Sequence, residues 1–483
     1  MTGLSAYGAY IPRLRLQRKA ILAANSWHAP SLAALAKGER AICHWDEDSV
    51  TMAVEAARDT LGNRDRGDIA AVYFASTTPP FADRQNAGII AEALNLPDTV
   101  QTLDIGGSQR AGLSALIAGL QTAAASAAPV LVVSADQRKT KPGSEGEMTY
   151  GDGAAAVLVG GGASAAKPLA LHSEAIDFVD HFRESGAPFD YAWESRWVRD
   201  EGWFKLIPQA IGRTLEKAGL GGNSINHFCL PTTIRGAGNR IAKWAGIPED
   251  RVRDTLQGEV GECGTAHALV MLAHALEQAQ PGETIMVAGF GNGVDVVIVE
   301  ATAAIAAAKP AMGVSGFLQR RTAEENYFKY LAFNGLIDIE KGMRAETDDK
   351  PILSSLYRNR KAVLGLIGGR CTETGVVQFP RSRISVNPQQ ETLDTQEDYP
   401  MADLPAKVMT YTADNLVYSA NPPAVYGMIT FEEGGRMTVD FTDVDADTVD
   451  VGMPMRMVFR IKNHDDRRGF TRYFWKATPA YTA

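Results

Sequence analysis

Two glycine-rich segments, DIGGSQRAGLSAL (104–116) and GEVGECGTAHALV (258–270), combine small residues with side chains able to move protons or attack a carbonyl. In each, the small residues permit a sharp turn, and an apolar helical pattern begins just after it. A helix starting there presents unpaired backbone amides and the positive end of its dipole, a setting suited to a thioester oxyanion. Ser108 stands in the first turn. In the second, Glu262 precedes Cys263, and Cys263 and His267 are spaced i, i+4, so thiol and imidazole can face each other. One such turn would merely redirect the chain; two in register point to a ligand site.

The elements that must hold these turns repeat. A helical pattern with Val50, Val54, Ala57 and Leu61 leads into the strand IAAVYFA and the turn Ser76-Thr77-Thr78-Pro79. A second helix, with Phe204, Ile207, Ile211 and Leu215, leads into INHFCL and the turn Pro231-Thr232-Thr233. Corresponding positions (Ile69 and Ile225, Pro97 and Pro248, Val133 and Val287) lie 151 to 156 residues apart. Each half closes with a glycine-rich turn into a strand, GDGAAAVLVG from Gly151 and GFGNGVDVVIVE from Gly289. Alternating helices and strands, duplicated, predict a layered α/β core with its site where equivalent turns meet.

The segments GAYIPRLRL, HWDEDSVTMAVEAARDTL, AVYFASTTPPFA, NAGIIAEAL and PGSEGEMTYGDGAAAVLVG resemble archaeal-type 3-hydroxy-3-methylglutaryl-CoA synthases and type-three ketoacyl synthases. The resemblance spans roughly residues 1–305 and implies a duplicated thiolase fold, layered αβαβα, with repeats of about 1–165 and 166–305. It further implies a dimer, a tunnel for the pantetheine arm of coenzyme A, and substrate contacts at Tyr150, Gly151 and Asn292.

The catalytic positions of that family carry other residues here. The nucleophilic cysteine falls on Gln109, five residues after Asp104 and before Arg110-Ala111-Gly112. The catalytic glutamate falls on Thr77, the His-x-Pro histidine on Cys229, and the thioester-holding asparagine on Glu262 or Cys263. An acyl-enzyme route is therefore not implied. An aldol or Claisen step on an acyl-CoA needs only a base and donors for the enolate, which Glu262, Thr77 and the amides near Ser108 and Gln109 are placed to supply. The leading expectation is carbon–carbon bond formation or cleavage on an acyl thioester without a catalytic cysteine. The alternatives are a non-catalytic thiolase-like partner, a malonyl-type thioester decarboxylase, and a nucleophile relocated to Ser108 or to a Cys263–His267 pair.

From Glu324 the pattern changes to a short helix (Asn326 to Arg344), a loop-rich stretch, and strands from Tyr399 onward. Gly375 with Phe379-Pro380-Arg381, Lys407-Val408-x-x-Tyr411-Thr412 and Val451-Gly452-Met453-Pro454-Met455 resemble the acyl-CoA-associated zinc-ribbon/OB-fold family. The resemblance implies a linker and ribbon over 306–395 and an OB-fold over 396–483. Cys371 keeps one thiolate of the ribbon, Thr374 takes the second place, and the second pair is expected within Ile384 to Asn387. One ligand cannot hold zinc, so no metal and no cofactor are expected, coenzyme A entering as part of the substrate.

The remaining composition narrows the class. A net charge of −9 over 483 residues, with nine acidic and four basic side chains between residues 400 and 460, argues against nucleic acid. No apolar run reaches membrane-spanning length, and the N-terminal segment lacks a secretory pattern. Four scattered cysteines without a CxxC pair suit a reducing cytoplasm. The expected partners are an acyl-CoA or acyl-carrier thioester and a second copy in a homodimer, with other thiolase-like subunits as a further possibility.

Overall fold

Alternating apolar strands and helices produce two sheets joined edge to edge, as seen in a computed structural model that describes residues 2–348 and 350–481. The strands of the first half are Leu4–Tyr10, Ala71–Ala75, Gln101–Ile105, Val130–Asp136 and Gly153–Val159. Those of the second are Ala166–Ala175, His227–Cys229, Thr284–Phe290 and Gly293–Ala301. A single pairing, Leu4 with Ala166, connects the halves into one nine-stranded order, with His227–Cys229 and Gln101–Ile105 at its edges. Strands such as Val130–Asp136 and Thr284–Phe290 are buried along their whole length, which is why they read as continuous apolar runs rather than as alternation.

The helices Ala111–Ser126 and His267–Gln278 touch each other and pack against strands of both halves. Outside them, Ser49–Leu61 covers the first sheet and Phe204–Ala218 the second. The result is the expected αβαβα layering, with both glycine-rich turns at the heads of the central helices. Ser49–Leu61 starts at Asp48, whose carboxylate accepts from the Thr51 N–H while the Thr51 hydroxyl accepts from the Asp48 N–H.

The segment expected as a linker is partly built into this core. Thr322–Glu324 pairs with Leu14–Gln17, and the helix Gly313–Gln319 packs on Leu4–Tyr10. The ribbon sheet comprises Ile367–Cys371 between Val377–Gln378 and Gln396–Pro400, so it runs past the expected boundary at 395. Five strands, Ala406–Asp414, Ala424–Phe431, Arg436–Asp440, Pro454–Asp465 and Phe470–Pro479, form the OB barrel. It closes where Phe441 pairs with Ala477.

The second ribbon pair is not in Ile384 to Asn387; Ile384 and Val386 are exposed. The Cys371 Sγ instead lies 3.3 Å from the Thr392 hydroxyl and 3.1 Å from that of Thr395. Hydrogen bonds from Thr374, Thr392 and Thr395 lower the Cys371 pKa to about 6. Cys371-x-x-Thr374 thus faces Thr392-x-x-Thr395, one thiol among three hydroxyls. Hydroxyls are poor substitutes for thiolates as zinc ligands.

The HWDED block forms the joint between core and barrel. Arg460, on the barrel strand Pro454–Asp465, is fully buried, 3.0 Å from Glu47 and 3.1 Å from Asp443. Asp46 meets Lys476 at 2.8 Å and the His44 ring at 2.7 Å, and Tyr473 donates to Asp48 at 2.6 Å. Burial works against ionised Asp443, but Arg320 and Arg460 outweigh it and hold its carboxyl below the usual range. Removing the central cation leaves the buried Glu47 carboxylate without its counter-charge. Arg460→Met should therefore cost about 3–5 kcal/mol, read as a lower urea midpoint with the barrel's tryptophan signal lost first.

Candidate functional site

The head of the Ala111–Ser126 helix opens onto a cavity of about 1080 Å³. Its walls come from four places: core turns, the 179–190 segment, residues 332–341 between core and barrel, and the barrel side chains Tyr418, Ile461, Asn463, His464 and Thr471. The barrel thus completes the cavity.

Gln109 lines this cavity just ahead of the Ala111–Ser126 helix. Asp104 orients the approach, its carboxylate accepting from the backbone N–H groups of Asn86 and Ala87 at 2.8 Å each. Behind the turn, Arg110 meets the buried Asp295 at 2.6 Å, and Ser114 donates to the same carboxylate. Gln109 Nε2 lies 3.4 Å from His181 Nε2, and its buried Oε1 has no hydrogen-bond partner among the described residues. Ser108 and Asn292 also line the cavity. The Ser108 hydroxyl donates to the Gly291 carbonyl at 2.6 Å, which occupies the proton a nucleophilic serine would surrender to a base.

Thr77 reaches the cavity as well, yet its hydroxyl donates to Asp136 at 3.0 Å. Asp136 ends the strand Val130–Asp136 and accepts from Ser76, from the N–H and hydroxyl of Thr77 and Thr78, and from the N–H and hydroxyl of Thr265. One carboxylate thereby ties the turn of the first half to the helix head of the second.

The other expected site residues lie behind the cavity wall. Glu262 is paired with Arg138 at 2.5 Å, and Arg138 sits 3.6 Å over the Tyr150 ring. Its carboxylate is engaged by Arg138 and does not line the cavity, so the expected role for Glu262 is not supported by its position. Tyr150 and Gly151 bridge to the Glu262 backbone; a Cβ on Gly151 would stand 1.9 Å from the Val260 carbonyl, so this glycine serves the close approach of the halves. Cys263 and His267 do meet, but through the Cys263 backbone N–H, which donates to His267 Nδ1 at 3.1 Å, while Nε2–H donates to the Thr255 carbonyl at 2.8 Å. Burial lowers the His267 pKa and raises that of the Cys263 thiol. This keeps the imidazole neutral and the thiol protonated, and a protonated thiol is a poor nucleophile. Cys229 is buried at the end of His227–Cys229, its thiol pushed up to about 12. Among the described residues no cysteine lines the cavity.

Residues early in the second repeat, after the strand Ala166–Ala175, were missed by motif reading. His181, Arg183 and Asp190 line the cavity from a short hairpin, His181–Phe182 with Tyr191–Ala192. Asp190 joins Arg138 at 2.6 Å and Arg183 at 3.3 Å, and Arg183 also donates to the Thr77 carbonyl. The available signal was the Asp180-His181 dipeptide with two aromatics nearby, too short to identify without the fold.

Such a core, with turns of both halves converging on one cavity, is the thiolase architecture, here extended by an OB-fold. The chain belongs to the hydroxymethylglutaryl-CoA synthase family. It is 30% identical over 346 residues to the hydroxymethylglutaryl-CoA synthase of Aeropyrum pernix, covering 70% of this chain and 96% of that protein. The synthase of Caldivirga maquilingensis is 30% identical over 298 residues, 60% of this chain and 84% of that one. Residues 215–300 match the 3-oxoacyl-[acyl-carrier-protein] synthase III C-terminal family, and residues 399–460 the C-terminal OB-fold domain of ChsH2. A crystal structure of an HMG-CoA synthase complexed with CoA superposes with a TM-score of 0.62 at 16% identity, covering 72% of this chain and 94% of that one. For the synthase III FabH of Pseudomonas aeruginosa the TM-score is 0.55 at 22% identity, covering 62% and 98%.

Asp136→Asn would set an amide N–H₂ against at least one backbone N–H, of Thr77 and Thr78 or of Thr265, that can only donate. It should destabilise the protein by about 2–3 kcal/mol in chemical denaturation.

Proposed function

We propose that this protein forms or breaks a carbon–carbon bond on an acyl-CoA thioester by acid/base chemistry, with no acyl-enzyme intermediate. The observation that carries this reading is Gln109, a carboxamide lining the cavity at the head of the central helix. An amide does not attack a thioester, but it can donate to a carbonyl or enolate oxygen. Family membership supports a coenzyme A thioester as the substrate, and the cavity has room for an acyl group beside a pantetheine arm. The barrel's share of the wall supports a role for that domain in acyl selection.

The assembly proposed is a homodimer. Gln101–Ile105 is an edge strand with Leu103 40% exposed, and an unpaired strand of this kind is a template for pairing with another copy. Four free, buried cysteines support a reducing, cytoplasmic setting.

Incubation with β-hydroxyacyl-CoAs and malonyl-CoA, followed by mass analysis of both products and protein, tests the chemistry. The expected result is a cleaved or extended acyl-CoA with the protein mass unchanged. A stable acyl adduct on Ser108 or Cys263 overturns it, and malonyl-CoA decarboxylation alone favours the decarboxylase. Separately, Leu103→Asp should convert the dimer to monomer in light scattering; a wild-type monomer refutes the dimer.

A further inference from the structure

With Glu262 held by Arg138 and the Thr77 hydroxyl held by Asp136, neither expected acid/base group is free to exchange a proton with a ligand beside Gln109. We propose that His181 is the catalytic acid/base of this site, with Asp180 as the positioning residue that fixes its tautomer. This rests on the acyl-thioester reading above and names the base which that reading requires.

The geometry carries the assignment. His181 lines the cavity, and its Nδ1 lies 2.9 Å from Asp180 Oδ2. A carboxylate can only accept, so Nδ1 carries the proton and Nε2 keeps a free lone pair. That lone pair faces Gln109 Nε2 at 3.4 Å, a long contact that an entering hydroxyl can displace. His181 therefore looks onto the residue at the helix head from which a thioester carbonyl would be polarised. Two further polar atoms here, Gln109 Oε1 and Asp180 Oδ1, are buried without a partner among the described residues.

The hairpin is fixed at several points, as a proton-transfer group requires. Ala192 pairs with His181 and Tyr191 with Phe182. Arg183 holds the Thr77 carbonyl and Asp190, and Asp190 is anchored to Arg138. At the hairpin's base Phe178 stacks on Trp197 at 4.2 Å, and the Asn292 side chain donates to the Phe178 carbonyl at 3.4 Å. This histidine lies inside the second repeat, between its first strand Ala166–Ala175 and the helix Phe204–Ala218, and 48 residues before Cys229, where the family's histidine is expected.

For a β-hydroxyacyl-CoA the step balances without an oxidant or reductant. His181 Nε2 takes the hydroxyl proton, the oxygen electrons form a C=O bond at the β-carbon, and the Cα–Cβ bond breaks. Its electron pair passes to the thioester as an enolate, whose oxygen faces the Gln109 amide. The proton on Nε2 then moves to Cα, releasing a carbonyl compound and a shorter acyl-CoA. In reverse the same transfers give aldol addition.

The test compares wild type, His181→Ala and Asp180→Asn in the full chain, using a β-hydroxyacyl-CoA panel together with ¹⁵N NMR of the imidazole. His181→Ala should lose about 10²–10⁴-fold in kcat while binding the acyl-CoA within about threefold of wild type. In wild type the spectrum should show Nδ1 protonated. Asp180→Asn should reduce kcat and populate the Nε2–H tautomer, a change that simple loosening of the hairpin would not produce. Active wild type with unimpaired His181→Ala, or an Nε2–H tautomer in wild type, overturns the assignment and leaves the acyl-thioester reading standing. Wild type that turns over no acyl-CoA on the panel overturns both.

Discussion

Arg460 sits with no solvent contact among Asp46, Glu47 and Asp443, and Lys476 and Arg320 share the same carboxylates. Charges buried this deeply persist only if their partners stay within about 4 Å. Because the acids Asp46 and Glu47 come from the core and the cations Arg460 and Lys476 from the barrel, the network fixes how the two parts meet. That placement carries Ile461, Asn463 and Thr471 to the cavity wall. The HWDED block is thus the docking surface as well as a motif, and Asp48 within it also caps the helix beneath.

A second constraint acts inside the core. The carboxylate of Asp136 gathers donors from residues 76–78 and from Thr265, so the two halves cannot shift independently at their shared site. Nearby, a Cβ on Gly112 would stand 2.2 Å from the Thr265 carbonyl, showing how closely the central helices approach. These contacts keep the thiolase scaffold in place around the helix head that carries Gln109. The scaffold depends on small residues and buried acceptors rather than on that side chain.

The ribbon repeats this theme on a smaller scale. Hydroxyls of Thr374, Thr392 and Thr395 surround Cys371 in place of thiolates, and three short strands keep the fold. The spacing C-x-x-T and T-x-x-T was visible in the chain, but nothing local distinguished it from Ile384 to Asn387. Pairing of Cys371 with Gln396 is what brings the second threonine pair under the sulfur.

Much of the architecture was legible because it rests on local pattern: apolar strands, helical spacing and turns recurring at a nearly constant offset specify a duplicated α/β core, and short strands with turn signals specify a barrel. The place of Gln109 at a helix head follows from the same signals. Side-chain partnerships were not legible. Whether Glu262 faces substrate or Arg138, whether Cys263 meets His267 by thiol or by backbone, and whether His181 enters the cavity depend on contacts between residues about 70 to 125 positions apart or on a one-turn change of direction. Sequence alone determined which elements form, since backbone and burial preferences are local; only the tertiary structure decided which polar groups stay free for chemistry, since each acceptor is claimed by whichever distant donor the packing delivers.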